Sequence, residues 1–355
     1  MRYQRKREHL TIAHQLGNSH YTYGFEDIVL VPDSLPELNL EEVDTTISFL
    51  GKELSLPLII NAITGGVDEA LVINGSLARL AAQHGLGMAV GSQTIALDDN
   101  ELANSFKIVR KENRDGLVLA NIAANAKPPL ALQAIEMIEA DGLQIHLNIP
   151  QELAMKEGDR DFRGLLDNIA ELARIAPVPI IAKEVGFGLS RETCQRLYEA
   201  GVRLFDVGGR GGTNFIAIEQ ARSGLFNDDF ISWGLPTPAS VAELSSLRFP
   251  IIIVASGGIR GGLDAAKAIA LGADIVGVAG HFLKILTEQG MNALSEEIKV
   301  FQYHLKSSMM MTGAASLADL KRIPLVIGGN TAHWITTRGI DICSWACRTG
   351  RQENS

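Results

Sequence analysis

Gly142-Leu143-Gln144-Ile145-His146-Leu147-Asn148-Ile149-Pro150-Gln151-Glu152 is the stretch that decides the fold. It starts as an apolar strand, Gly142 to Asn148, and side chains in a strand alternate between two faces, so His146 and Asn148 are expected on the same face. Pro150 lacks the N–H that a strand ladder needs and stops the strand. Gln151 and Glu152 follow where the chain turns. A carboxylate, an amide and an imidazole gathered at a strand end can hold a hydrated cation and an anionic ligand together. Ordinary strand termination explains any one of these residues singly, so the cluster draws its meaning from the other strand ends.

The same plan recurs on both sides of this stretch, from Pro57 onward: an apolar, β-branched run, then polar or glycine residues, then an Ala/Leu-rich helical stretch. The runs are Leu58 to Thr64, Gly87 to Gln93, Leu117 to Ala123, Gly142 to Ile149, Ile180 to Val185, Leu204 to Gly208, Ile251 to Ser256 and Ile275 to Ala279. Helical segments fall between them at Ala70 to His84, Leu130 to Ala140, Arg163 to Ile175, Arg191 to Ala200, Thr237 to Leu247 and Leu263 to Leu271. Strands joined by helical crossovers are parallel, and strands this apolar are covered on both faces. Eight of them with helices between predict an α/β protein built as a (β/α)8 TIM barrel, with N-terminal and C-terminal extensions. An open doubly wound sheet fits less well, because no strand-adjacent dinucleotide fingerprint occurs early in the chain.

The expected organisation is a basic arm and irregular cap over residues 1–56, the barrel over 57–290, and a helical extension with a tail over 291–355. Within the cap, a short hairpin is expected at Thr45 to Leu54. Pro324 to Asn330 is a further apolar piece ending in glycines, and Cys343 to Ser355, which shows no periodicity, reads as frayed. Arg2, Arg5, Lys6, Arg7 and His9 form the arm, which either starts a solvated helix or folds over a bound phosphate.

A net charge of −9 argues against general binding to nucleic acid or a membrane surface. An acidic protein that binds anions must therefore concentrate its positive charge locally. Cys194, Cys343 and Cys347 show neither metal spacing nor a disulfide framework, which suits a reducing, cytoplasmic setting. No apolar core segment follows the basic N terminus as a signal peptide would require, and no apolar run is long enough to span a bilayer.

In such a barrel the active site lies at the C-terminal ends of the strands. Those ends read Ala62-Ile63-Thr64-Gly65-Gly66, Gly91-Ser92-Gln93, Asn121 with Asn125, His146 to Glu152, Lys183-Glu184, Gly208 to Thr213, Ser256-Gly257-Gly258-Ile259-Arg260 and Ala279-Gly280-His281. Nearly all carry small or polar groups, which points to a large bound ligand. Gly211-Gly212-Thr213, Ser256 to Arg260 and Ala279-Gly280 follow the last three strands. There, glycines admit a phosphate to main-chain N–H groups, and a following helix N terminus favours its charge. Tight turns would explain one such loop but poorly explain three in succession. Lys183 would stand over the barrel mouth, either as half of an ion pair or as a cation beside an electron-rich ring.

These residues resemble a known family. Arg5-Lys6-Arg7-Glu8-His9, Thr64-Gly65-Gly66, Gly91-Ser92-Gln93, Asn121, His146 to Glu152, Lys183-Glu184, Gly211-Gly212-Thr213 and Ser256 to Arg260 are similar to the motifs of the FMN-dependent type 2 isopentenyl-diphosphate isomerases. The resemblance runs from Arg5 to Arg338. The Ser-Gly-Gly loop is shared with many FMN barrels, whereas its combination with His-Leu-Asn-x-x-Gln-Glu and the N-terminal Arg-Lys-x-x-His is specific to the isomerases. Thr94 departs from the pattern, since several members carry an Arg there that helps to hold the diphosphate.

The resemblance implies FMN, active in its reduced form, with Mg2+ and with NADPH as the flavin reductant. Ala62, Ile63 and Thr64 would border the flavin ring, with Ser92, Asn121 and Lys183 on its polar edge. Thr213, Gly257, Gly258, Arg260, Ala279 and Gly280 would hold the FMN phosphate and its chain. Arg5, Lys6, His9, His146 and Asn148 would bind the substrate diphosphate, Glu152 would carry the magnesium, and Gln151 would act as the catalytic residue over the reacting carbons. The implied reaction interconverts isopentenyl and dimethylallyl diphosphate in isoprenoid precursor synthesis without net redox change. The implied assembly is a cytoplasmic homo-oligomer, a tetramer or an octamer. Two rivals are an FMN oxidoreductase of the hydroxy-acid oxidase or dihydroorotate dehydrogenase kind, and a non-catalytic flavin or phosphate binder.

Overall fold

The structure is a computed structural model that describes Ile12, residues 24–98 and residues 100–350. Its strands, in chain order, are β1 (Ile28–Leu30), β2 (Ile47–Phe49), β3 (Lys52–Leu54), β4 (Leu58–Ile60), β5 (Gly87–Ala89), β6 (Val118–Ala123), β7 (Gly142–Leu147), β8 (Ile180–Glu184), β9 (Leu204–Asp206), β10 (Ile252–Ser256), β11 (Ile275–Val278) and β12 (Leu325–Ile327). Strands β4 to β11 close a parallel barrel in the order β10-β11-β4-β5-β6-β7-β8-β9, so the expected (β/α)8 architecture forms. Each expected run supplies one barrel strand, though some strands are shorter than their runs. Beyond β5, for example, the chain leaves the ladder for cross-loop bonds such as Gly91 N to Thr64 O (2.8 Å) and Gln93 N to Asn121 O (2.9 Å).

The period of two along each strand divides the barrel interior into layers. The lower layer is apolar: Ile59, Ala89, Leu119, Ile181, Leu204, Val254 and Ile275 pack together with Phe49 and Leu54. Those last two come from the β2–β3 hairpin, which pairs Ile47 with Leu54 and lies against the N-terminal end of the barrel. Two residues further along β4, β6, β8, β9 and β10 the interior turns polar at Asn61, Asn121, Lys183, Asp206 and Ser256, joined by Gln144 of β7, and all six are buried. The alternate positions, such as Leu58, Ile60, Leu143 and Ile145, face outward into the larger core between strands and helices.

The surrounding helices begin and end where local chemistry dictates. Asp68–His84 carries Asp68 and Glu69 in its first turn and closes on Gly85 at φ 62°, which suits the helix dipole and a left-handed cap. Pro128 opens Pro128–Met137, where a missing N–H is harmless. Additional helices form at Ile149–Ala154 and Phe215–Ser223. Gly280–Met310 is interrupted at Gly290 (φ 85°, ψ 179°).

The two extensions pack on each other. Strand β1 pairs antiparallel with β12, through Ile28↔Ile327 and Leu30↔Leu325, although the segment around β1 reads as irregular in the sequence. Asp27 Oδ2 accepts from the N–H and hydroxyl of Thr331 at 2.9 and 2.8 Å. The expectation that the chain frays from Cys343 to Ser355 is corrected at its start, since Cys343–Ala346 is helical and buried Trp345 donates from Nε1 to Leu271 O at 3.0 Å; residues 351–355 lie outside the described residues. One aromatic anchor gives no periodicity, which is why the pattern concealed it.

Glu243, fully buried, ties the C-terminal extension to the barrel shell. Its Oε1 accepts from Trp334 Nε1 and Arg338 Nε, both at 2.9 Å, and its Oε2 accepts from Arg191 N at 2.9 Å. Glu243→Ala leaves these donors without their acceptor and is expected to lower stability by about 2 to 3 kcal/mol. A shifted urea midpoint at unchanged slope checks this, and a change below about 0.5 kcal/mol contradicts it.

Candidate active site

At the C-terminal mouth of the barrel lies a cavity of about 1030 Å3. Every candidate residue within the described segments lines it. From the early strands come Ala62, Ile63, Thr64, Ser92 and Asn121; from the fourth barrel strand and its loop come His146, Asn148, Gln151 and Glu152. Lys183, Thr213, Gly257, Gly258 and Arg260, with Ala279 and Gly280, complete the wall. Arg5, Lys6 and His9 lie outside the described residues.

The loops after β9 and β10 meet backbone to backbone, and the loop after β11 lies against the Thr213 hydroxyl. A side chain at Gly212 would lie 3.1 Å from Gly258 N and 3.2 Å from Gly257 Cα, and one at Gly280 would lie 3.4 Å from Thr213 Oγ1. Gly257 sits at φ 99°, where a side chain would also come within 2.0 Å of Gly209 O. Glycine is thus required at Gly257. Helices Gly262–Leu271 and Gly280–Met310 begin directly after two of these loops. Arg260 is half-buried, and that burial lowers the pKa of its guanidinium. Main-chain N–H groups, a threonine hydroxyl, a guanidinium and helix N termini are the donor set that a phosphate requires, and they fit the phosphate of FMN.

On the opposite wall, the strand stops at Leu147, so His146 and Asn148 do not share a strand face as expected. Asn148, at φ −126° and ψ 35°, opens the helix Ile149–Ala154, in which Pro150 occupies a tolerated first-turn position. The residues converge all the same. Asn148 Nδ2 donates to Glu152 Oε1 at 2.9 Å, one helical turn on, and Asp159 N donates to Glu152 Oε2 at 2.9 Å. Arg160, which the sequence did not single out, gathers the carbonyls of Glu152, Met155, Gly158 and Asp159 and so holds this loop closed. Ser92 Oγ and Thr94 Oγ1 are 3.1 Å apart.

Beneath the cavity floor, Lys183 Nζ lies 2.9 Å from Asp206 Oδ2. The same carboxylate accepts from Asn61 Nδ2 (2.7 Å), Gly208 N (3.2 Å) and Ser256 Oγ. Lys183 is therefore half of an ion pair, and it also forms part of the cavity wall. Glu184, next in the chain, accepts from Phe187 N (2.6 Å) and Gly188 N (2.9 Å) and shapes the following loop. Burial still pushes its carboxyl up to about 8, against the pull of those two donors. Asp206, Asn61 and Gln144 went unnoticed in the sequence, although Gln144 stands two residues before His146 on the same strand face.

The FMN-dependent dehydrogenase family matches residues 150–326. An isopentenyl-diphosphate delta-isomerase of Moorella thermoacetica is 53% identical, over 94% of this chain and 96% of that protein. One of Symbiobacterium thermophilum is 46% identical, over 99% of both. Among solved structures, a mandelate oxidase superposes with TM-score 0.64 at 17% identity, covering 90% of this chain and 93% of its own. Flavocytochrome b2 superposes with TM-score 0.67 at 19% identity, covering 98% and 86%. The structural likenesses establish the barrel, and the close relatives establish the rest: this chain belongs to the family of FMN-dependent isopentenyl-diphosphate delta-isomerases.

Proposed function

We propose that this protein interconverts isopentenyl diphosphate and dimethylallyl diphosphate on reduced FMN, with Mg2+ and without net redox change. The observation that carries the reading is one cavity lined on one side by the glycine-rich loops after β9, β10 and β11 and on the other by His146, Asn148, Gln151 and Glu152. At about 1030 Å3 it stands at the upper limit for one drug-sized ligand, which suits a flavin and a second anionic ligand together.

The reaction adds a proton at one end of an allyl unit and removes another at the far side. An alkene is a weak base, so the step needs a positioned acid, exclusion of water and electron density near the incipient cation. Reduced FMN, when bound, supplies a donatable proton and an electron-rich ring. The chain supplies the placement. Ile63, Ile73, Ile218 and Ile231 give the cavity apolar wall that suits a prenyl chain and excludes water. His146 and Asn148 would bind the diphosphate, joined by Arg5, Lys6 and His9 of the arm, and Gln151 would stand over the reacting carbons. Among the described residues no group of three or more His, Cys, Asp or Glu forms a preformed metal cage. Magnesium characteristically binds one or two carboxylates together with substrate phosphates, and Glu152 suits that arrangement. NADPH as the reductant and a cytoplasmic homo-oligomer, tetramer or octamer, complete the proposal. Among the described residues, no helix is long and apolar enough to cross a membrane.

A flavin oxidoreductase would need a proton-abstracting base in a late loop, and in Gly208 to Thr213 the only charged side chain is Arg210. Gln151→Ala is expected to keep its flavin while turnover falls at least about tenfold, roughly 1.4 kcal/mol in barrier. A colourless variant, or one with full turnover, would remove Gln151 from the chemistry. Glu152→Gln is expected to raise the Mg2+ concentration for half-maximal rate at least about tenfold, since one formal charge on a hard oxygen ligand is lost. An unchanged magnesium titration would place the ion elsewhere.

A further inference from the structure

The buried amides of the barrel form one directed line, and its direction follows from donor and acceptor chemistry. Asn61 is the fixed point. Its Oδ1 accepts from Ala62 N at 2.8 Å, a main-chain group that can only donate, and its Nδ2 faces Asp206 Oδ2 at 2.7 Å. Two independent neighbours therefore agree on which end of Asn61 is nitrogen. The Gln144 atom 2.9 Å from Asn61 Oδ1 must be Nε2, so its Oε1 meets Asn121 Nδ2 at 3.0 Å. Asn121 Oδ1 is then the atom that faces His146 Nδ1 at 2.8 Å, and an acceptor there requires an N–H. Gln93 holds Asn121 in place, taking its main-chain N–H at 3.0 Å while donating to Ala134 O at 2.9 Å. Strand β11 also makes room for the line, since any side chain at Gly277 would come within 2.5 Å of Asn61 Nδ2.

We propose that Asp206 and Asn61, acting through Gln144 and Asn121, are positioning residues that hold His146 in the tautomer protonated at Nδ1. The neutral ring then carries its lone pair on Nε2, and a second proton makes Nε2 a donor suited to an anionic oxygen. An unconstrained imidazole favours the opposite tautomer, so the line does work that the ring would not do alone. The carboxylate that pairs with Lys183 on one side of the cavity floor thereby sets the imidazole on the other.

The test is 15N-histidine NMR of the holoenzyme, with the His146 signals identified by their loss in His146→Gln. In the wild type, the neutral ring is expected to carry its proton on Nδ1; a neutral ring protonated on Nε2 overturns the proposal. Gln144→Met removes the acceptor that faces Asn121 Nδ2 and is expected to move His146 to the Nε2–H form or to a mixture. Gln144→Glu retains an acceptor in either protonation state and is expected to keep Nδ1–H. The reverse order overturns the proposal, and if Gln144→Met does not fold, the wild-type and Gln144→Glu spectra decide. A kinetic arm rests on the reading of His146 as a diphosphate contact. There, Gln144→Met is expected to raise KM at least about fivefold, with kcat and flavin absorbance within about twofold. A changed tautomer with unchanged KM would uphold the line of amides and overturn only that reading of His146.

Discussion

The inner face of the barrel is organised by one carboxylate with no exposure to water, that of Asp206. A buried charge is tolerated only when it is paired and hydrogen-bonded, and removing one partner of such a pair costs about 3 to 5 kcal/mol. Asp206 meets that demand with Lys183, Asn61, Ser256 and the Gly208 amide, drawn from four different strand ends. Satisfying the charge therefore fixes side chains around much of the barrel circumference. Those side chains form the floor of the cavity, so stability and site geometry share one cause.

Above that floor the barrel divides its labour. The last strands contribute loops short of side chains, where glycines let backbones touch and leave donors for an anion. The fourth barrel strand contributes the reverse, a crowded turn in which Asn148, Glu152, Asp159 and Arg160 restrain one another. Mandelate oxidase has the same barrel at 17% identity, which shows how little the fold alone determines about chemistry.

The barrel was legible in the sequence because eight apolar runs separated by helical stretches admit few other arrangements. The strand-end candidates were legible for the same reason: once the strands were numbered, the cavity wall could be read off, and the described candidates do line it. Less visible were groups whose role depends on long-range contact. Asp206 lies inside a short apolar run and meets Asn61 across 145 residues of chain. Asp27 and Thr331, 304 residues apart, tie extensions that share no local pattern. Trp345 anchors a tail with no period at all. Among the described residues Arg160 binds carbonyls alone, and nothing in its sequence context marks that.

Under the proposed function the cavity performs proton chemistry on a reduced flavin rather than oxidation. An interaction accelerates the step only if it strengthens as positive charge develops, and an electron-rich reduced ring meets that condition where an oxidised one does not. The direct measurement is to incubate the reduced holoenzyme with isopentenyl diphosphate in deuterated water without oxygen, following flavin absorbance and product together. The expected result is deuterium in dimethylallyl diphosphate, with the flavin absorbance remaining that of the reduced form through many turnovers. Flavin oxidation in proportion to product, or equal activity of the oxidised protein, would contradict it.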